Sequence, residues 1–255
     1  MNQRTAAAVR PSPVFLGLLI VTAFGVWLSL RGGSETELRI GVFILVAGGW
    51  IVSLCLHEFG HAFLAWRSGD RSAAERGYLT LNPLKYSNAV LSFVLPLLFV
   101  LLGGIGLPGG AVWVNRHAIP GRLRHSLISA AGPLANIVFA FVLAAVIPHE
   151  LTRDNTFFWA GVAFLTFLQV TAALLNLVPF PGLDGYGIVE PYLPASWRRG
   201  AAKLAPYGLL IVIAILWIPA VNAGFFSAIT RLMDLLGVNP ILVGFGDHLF
   251  RFWTG

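Results

Sequence analysis

The chain has few charged residues, and this scarcity indicates its class. Asp, Glu, Lys and Arg make up 11% of its 255 residues, whereas soluble domains carry about 25%. Hydrophobic residues reach 57%, and the mean hydropathy is +0.79. This composition argues against an ordinary soluble domain and is typical of a polytopic membrane protein.

Cysteine and linker sequences are also scarce. Cys55 is the only cysteine, which excludes an intrachain disulfide and a cysteine-based metal cluster. The chain has no repeat and no Ser- or Gln-rich linker, so we expect one membrane-embedded domain over residues 1–255. The net charge is +6, but the basic residues lie in short loops without interleaved aromatics. We therefore expect no nucleic-acid partner.

Long apolar runs predict transmembrane helices, each of which needs about 20 residues. The runs are 13–30, 40–64, 89–108, 126–148, 157–179 and 206–228. The tail 229–255 mixes apolar and charged residues, which predicts an amphipathic segment at the membrane interface. No small-residue cleavage site follows the first run, so we expect a retained span rather than a signal peptide.

The distribution of Lys and Arg bears on the run 89–108. If this run spans fully, the two sides of the membrane carry 9 and 8 of the 17 basic residues. If it enters and returns on one side, the counts become 12 and 5. The positive-inside rule favours the second topology, with a re-entrant segment and a cytoplasmic N-terminus.

The predicted fold class is an all-α polytopic membrane protein with about five to six transmembrane helices and a re-entrant segment. Two stretches rich in β-branched and aromatic residues, "GYLTL" at 77–81 and "AVWVN" at 111–115, also predict short strands.

Ionisable residues occur inside one of these apolar runs, in the stretch "HEFGH". Residues four apart share a helix face, so His57 and His61 can bind one zinc ion. Glu58, beside the first histidine, is placed to act as a general base on a zinc-bound water. Ionisable residues inside a membrane are costly and usually functional, which favours this metal site over a buried polar cluster.

A catalytic zinc needs a third protein ligand. Asp184 in "NLVPFPGLDGYG" is the best candidate, because prolines and glycines predict irregular backbone there at a membrane boundary. The alternative is an ordinary Asp-Gly turn. Glu75, Glu150 and Glu190 are rival carboxylates, and Glu190 is the strongest of them.

Two asparagines lie inside apolar runs. Asn176 either donates a hydrogen bond to a developing oxyanion or caps a broken helix end. Asn136, in "AGPLAN", needs a polar partner inside its span, and the small residues around it predict close packing against the helix that carries "HEFGH".

Together these motifs resemble the site-2 proteases, zinc metalloproteases that cut inside membranes. The segments "HEFGHAFLAWRSGD", "GYLTLNPLKY", "GGAVWVN", "AGPLAN" and "NLVPFPGLDG" occur in the family's order. The resemblance covers about 40–192 and is closest to the compact prokaryotic branch without a PDZ or CBS domain. Departures such as Tyr86-Ser87-Asn88 and "GGAVWVN" affect neither the ligands nor the base that the family pattern contains.

The resemblance implies a function and its residues. It implies that His57, His61 and Asp184 bind one Zn²⁺ per chain, that Glu58 is the catalytic base, and that Asn176 assists near the scissile carbonyl. The substrates would be transmembrane proteins, and the location a prokaryotic cell membrane. There are two alternatives to a protease. One is an ion-coupled transporter that uses the same buried groups, and the other is a non-catalytic scaffold that binds membrane helices.

Overall fold

The structure is a computed structural model that describes residues 9–86, 112–148, 150, 155–251 and 253. These residues form α-helices, short 3₁₀ turns and irregular segments. In chain order the helices are α1 (Pro13–Leu30), α2 (Glu35–Ser68), α3 (Ser72–Glu75), α4 (Arg122–Val146), α5 (Thr156–Asn176), α6 (Asp184–Val189), α7 (Ala195–Leu204), α8 (Gly208–Leu216), α9 (Pro219–Leu235) and α10 (Pro240–Phe250).

Helix α2 is the central element, and its ends are defined by local chemistry. The side chain of Ser34 accepts from the backbone N–H of Glu37, whose carboxylate accepts from the Ser34 N–H in return; this capping box begins the helix. Gly69 ends it with φ of 126°, a conformation that only glycine adopts readily. At 1.5 Å per residue, its 34 residues extend about 51 Å, more than the roughly 30 Å hydrocarbon core.

Small residues bring the neighbouring helices close to α2. A Cβ on Gly41 would lie 2.6 Å from the backbone nitrogen of Ser29 in α1. A Cβ on Gly60 would lie 2.9 Å from the carbonyl oxygen of Ala131 in α4. The second contact confirms that the "AGPLAN" segment packs closely against the helix that carries "HEFGH".

Helices α2, α4 and α5 pack against one another and form the core, while α1 covers α2 and α6 packs on α4. Most of α5 is buried, including Leu165 and Leu168. Helix α10 contacts α5 and α2 through the fully buried Leu249 and Phe250. It lies at 112° to α9.

The expected fold class is confirmed. Among the described residues, five helical segments are long and apolar enough to cross a membrane: α1, α2, α4, α5 and Ala195–Leu216, which joins α7 and α8. The number is six if the bent pair α9–α10 forms one span. One predicted span is divided differently: 206–228 includes α8 and the start of α9, because Pro219 begins a new helix. The proposed re-entrant run 89–108 lies outside the described residues. That the tail 229–255 lies at the interface stays a prediction.

The strand prediction is wrong for the residues that the structure describes. Tyr78–Thr80 is a 3₁₀ turn, flanked by Gly77 with φ of 76° and Leu81 with φ of 56°. These left-handed residues bend the chain, so the run of β-branched and aromatic residues cannot extend. Residues 112–115 have no regular structure and pair with no described strand.

The ends of several helices meet on one side of the bundle. The C-terminal ends of α2 and α5 lie there together with the N-terminal end of α4, since residues from all three line one cavity. The N-terminus of α1 is on the same side, because the backbone N–H of Ser12 donates to the carbonyl of Thr80 at 2.8 Å. The loops of this side therefore surround the candidate site.

Candidate metal centre

His57 and His61 lie one turn apart on α2, as the sequence predicts, and both are buried. Their Nε2 atoms are 3.1 Å apart. Each Nδ1 atom has a partner on the neighbouring helix α4: the side-chain oxygen of Asn136 for His57, and the carbonyl oxygen of Ile128 for His61, both at 2.6 Å. Both Nδ1 atoms thus face oxygen acceptors, which leaves the Nε2 lone pairs directed at the space between the rings.

Asp184 completes the group from a distant part of the chain. The chain turns after α5 through the irregular segment 177–183, where Gly182 has φ of 97°, and Asp184 begins helix α6. Its Oδ2 lies 3.2 Å from Nε2 of His57 and 3.4 Å from Nε2 of His61.

The rival carboxylate Glu190 faces another group. Its Oε2 forms an ion pair with Nη1 of Arg116. Within the described ranges, the one cluster of potential metal ligands is His57, His61 and Asp184, whose ligand atoms lie within 4.8 Å of one another. The geometry therefore favours Asp184 over Glu190 as the third ligand.

The three donor atoms fit a zinc ion. Ligand atoms at 2.0–2.2 Å from a tetrahedral zinc are separated by roughly 3.3–3.6 Å, and the observed separations are 3.1, 3.2 and 3.4 Å. Two imidazole lone pairs and a carboxylate repel one another unless a cation lies between them. With three protein donors, a tetrahedral zinc keeps one open position.

Glu58 is 2% exposed and follows His57 directly. Its Oε2 is buried and has no hydrogen-bond partner among the described residues, while the backbone of Val112 contacts the carboxylate. A buried carboxylate oxygen without a partner is costly, which is typical of a group kept for a substrate or a water molecule.

These groups open into one cavity of about 910 Å³. His57, Glu58, Asp184 and Asn176 line it together, and Val112–Val114 lie along its wall. Asn176, the last residue of α5, is buried, and its side-chain amide makes no hydrogen bond to a described residue. The structure thus shows no capping bond from Asn176, and its role stays a prediction.

Sequence reasoning missed a glycine at the centre. A Cβ on Gly132 would press on Nε2 of both histidines and lie 2.6 Å from Cε1 of His57. Only a residue without a side chain leaves this space open. The glycine stands in "AGPLAN", where the sequence indicated helix packing but not contact with the metal ligands.

Sequence reasoning also missed Gln169 and Ser53. Asn136 was expected to need a polar partner, and it has two: His57 and Gln169. Gln169 in turn bonds to Ser53. An uncharged amide inside the apolar run 157–179 was a signal that could have pointed to Gln169.

Two histidines and a carboxylate around one metal, with a further carboxylate beside them, form the donor set of hydrolytic zinc enzymes. Here this set lies within a bundle of membrane-spanning helices. The fold and site together therefore define a multi-pass membrane protein with the chemistry of a zinc hydrolase.

Comparison with known proteins agrees. A protein of Mycolicibacterium smegmatis named "Putative zinc metalloprotease Rip2" is 49% identical over 250 residues, which cover 97% of this chain and 96% of the relative. Its namesake in Mycobacterium tuberculosis is 47% identical over 249 residues, with the same coverage. A protein of Bacillus subtilis named "Putative zinc metalloprotease YwhC" is 32% identical over 202 residues, which cover 70% of this chain and 89% of the relative.

No family model matches the chain, and no solved structure matches it. The full-length relatives nevertheless establish the family. The chain belongs to the site-2 protease family and is a zinc metalloprotease with one zinc ion as its cofactor.

Proposed function

We propose that the protein hydrolyses peptide bonds within or next to transmembrane segments of membrane proteins. His57, His61 and Asp184 hold the zinc, and Glu58 is the general base. The observation that carries this proposal is the buried Oε2 of Glu58, which has no partner among the described residues and lies beside three converging ligand atoms. All of these atoms lie in one cavity of a membrane-spanning bundle.

The depth of the site supports an intramembrane substrate. His57 precedes the end of α2 at Ser68 by 11 residues, which is about 16 Å along the helix axis. The hydrocarbon core is about 30 Å thick. A substrate bond that reaches this site is therefore cut below the level at which α2 ends, within or beside the membrane.

Each residue has a defined task in this proposal. A bound zinc ion would act as a Lewis acid: it would polarise the peptide carbonyl and lower the pKa of a water molecule. The Glu58 carboxylate accepts the proton of the attacking water and passes it to the leaving nitrogen. The amide of Asn176 donates a hydrogen bond to the carbonyl oxygen as negative charge develops on it.

The substrate must lose helical structure before it can react, because the carbonyls of a transmembrane helix are internally hydrogen-bonded. Residues 112–114 can receive the unwound segment. They line the cavity, and their backbone makes no backbone–backbone hydrogen bond with the described residues. Their end is fixed, since the N–H of Asn115 donates to the buried carboxylate of Asp70 at 2.7 Å. An extended peptide can add to such an edge.

The location of the site supports a prokaryotic cell membrane with the catalytic side facing the cytoplasm. The loops around the site, 67–85 and 116–124, carry most of their charge as Lys and Arg. Positive residues of short loops remain on the cytoplasmic side, and the three relatives reported above come from bacteria.

The test is cleavage of a model membrane-helix substrate in detergent or liposomes by the wild type and by Glu58→Gln. We expect the variant to retain zinc and lose cleavage. The matched control is Glu35→Gln, at the opposite end of the same helix, which should retain both. Unchanged cleavage by Glu58→Gln would refute the mechanism. A wild type that binds zinc and membrane helices but cleaves none would indicate the scaffold alternative.

A further inference from the structure

A row of buried polar side chains extends from His57 away from the cavity and crosses three helices. The Nδ1 of His57 lies 2.6 Å from Oδ1 of Asn136. Nδ2 of Asn136 donates to Oε1 of Gln169 at 2.8 Å, and Nε2 of Gln169 donates to Oγ of Ser53 at 3.0 Å. The Ser53 hydroxyl donates to the carbonyl oxygen of Trp50 at 2.8 Å. We call these four side chains the relay.

The relay has one direction. Because the Ser53 hydroxyl donates to a backbone carbonyl, its oxygen serves Gln169 as an acceptor, and Gln169 must present its NH₂ group there. Its carbonyl oxygen then faces Asn136, which presents NH₂ to it and oxygen to His57. An amide oxygen only accepts, so the proton of His57 is on Nδ1 and Nε2 carries the lone pair.

The reversed relay would have the opposite effect. If both amides turned over, Asn136 would offer NH₂ to Nδ1 of His57, and the imidazole proton would be on Nε2, where it faces His61 and Asp184. Such a tautomer cannot donate its Nε2 lone pair to a metal. The orientation of the amides therefore decides whether His57 can act as a ligand through this atom.

The tautomer of His61 does not depend on a side-chain amide. Its Nδ1 lies 2.6 Å from the backbone carbonyl of Ile128. A backbone carbonyl in a helix accepts and cannot turn over, so the tautomer of His61 is fixed by α4 alone. Of the two histidines, only His57 depends on side chains that have two possible orientations.

We infer that Gln169 is a positioning residue, which acts through Asn136 to hold His57 in the tautomer that binds metal. Ser53 fixes the direction of the amides at the far end. The four side chains of the relay are at most 5% exposed, so water does not substitute for a missing partner. This inference rests on the proposed zinc ligation by His57 and concerns the affinity and geometry of that site, not the identity of the substrate.

The first test is Gln169→Leu, which removes both hydrogen bonds of the amide at similar side-chain size. Asn136 then loses the partner that sets its orientation. Outer hydrogen-bond partners of metal ligands typically contribute 10–100-fold to metal affinity. We expect zinc affinity, measured by competition with a chelator, to fall by roughly this factor, and the visible spectrum of the Co²⁺-substituted protein to change.

Thr166→Val is the matched control. Thr166 is on the same helix α5 and is fully buried, but its hydroxyl donates only within that helix, to the carbonyl of Val162 at 2.8 Å. This variant also loses a buried polar group, yet it should keep the zinc affinity and the Co²⁺ spectrum of the wild type. The pair separates an effect on His57 from a general loss of stability.

Gln169→Glu is the conservative variant. Its carboxyl group offers an acceptor to Nδ2 of Asn136 whether or not it is protonated, so the Asn136 orientation is retained. We expect zinc affinity and the Co²⁺ spectrum close to those of the wild type, with the change confined to Gln169→Leu. A merely structural role of Gln169 predicts no such rescue.

Ser53→Ala keeps the inference testable if Gln169→Leu does not fold. It removes the acceptor that fixes Gln169, and zinc affinity should fall in the same direction. Zinc affinity and a Co²⁺ spectrum equal to those of Thr166→Val, in Gln169→Leu or in Ser53→Ala, would overturn the inference. That result would leave the proposed function intact, because Glu58→Gln tests it separately.

Discussion

Replacing Gly132 with alanine should strongly weaken zinc binding while the helix that carries it still forms. Gly132 lies in α4, directly opposite the two histidines of α2. The added methyl group would press on both Nε2 atoms and lie 2.6 Å from Cε1 of His57. Alanine itself is favourable in a helix by about 0.5–1 kcal/mol relative to glycine, so any loss must come from the contact.

The size of the effect follows from distances. Carbon atoms in contact are separated by about 3.5–4.0 Å, so the rings or the helices would have to move by about 1 Å. Metal–ligand distances tolerate about 0.2 Å. Moving the helices apart to relieve the overlap would also open the close contact between Gly60 of α2 and the Ala131 carbonyl of α4. We expect zinc affinity to fall at least about 100-fold, which corresponds to about 3 kcal/mol.

The assay is metal content per chain after purification and dialysis, together with a thermal unfolding midpoint compared with that of the chelated wild type. Gly161→Ala is the control: it is the same substitution in the buried helix α5, where the Cβ would lie 3.1 Å from Cδ2 of Leu45 and 3.2 Å from Cγ1 of Val42. These are side-chain atoms, which can adjust. A Gly132→Ala protein with one zinc per chain and wild-type affinity would refute the reasoning.

Two further predictions concern the other members of the site. Asp184→Asn should lose most of its zinc, because an amide is a poor substitute for a carboxylate ligand. Glu190→Gln should keep its zinc, because Glu190 pairs with Arg116. Metal analysis of both proteins tests this, and the reverse result would assign the third ligand to Glu190. Asn176→Ala should lower kcat by about 10²–10³-fold with little change in KM or zinc content, because the amide of Asn176 would stabilise the negative charge that develops on the carbonyl oxygen. Steady-state kinetics tests this prediction, and a change in KM alone would contradict it.

Local sequence patterns predicted the features that depend on neighbouring residues. The apolar runs predicted the membrane class and the positions of α1, α2, α4 and α5, because a helix in lipid satisfies its own backbone. The spacing of "HEFGH" alone placed two imidazoles on one face, since four residues make about one helical turn. These predictions needed no information about the rest of the chain.

Predictions about irregular segments were less accurate, for a physical reason. The composition of 77–81 favours a strand, but a strand needs a partner and extended backbone, and Gly77 and Leu81 are both left-handed there. The run 206–228 has the hydropathy of one span, but Pro219 lacks the N–H that would continue a helix and begins a new one instead.

The sequence by itself therefore determined that this chain is a membrane protein with His57, Glu58 and His61 close together on one helix. Only the tertiary structure decided which carboxylate faces the histidines, because Asp184 and Glu190 are both plausible in sequence and differ in what lies opposite them. It also decided where Gly132 and Gln169 lie relative to the two histidines. Neither residue binds metal itself, and their positions opposite and behind the ligands arise from the packing of α4 and α5 against α2, which no local pattern encodes.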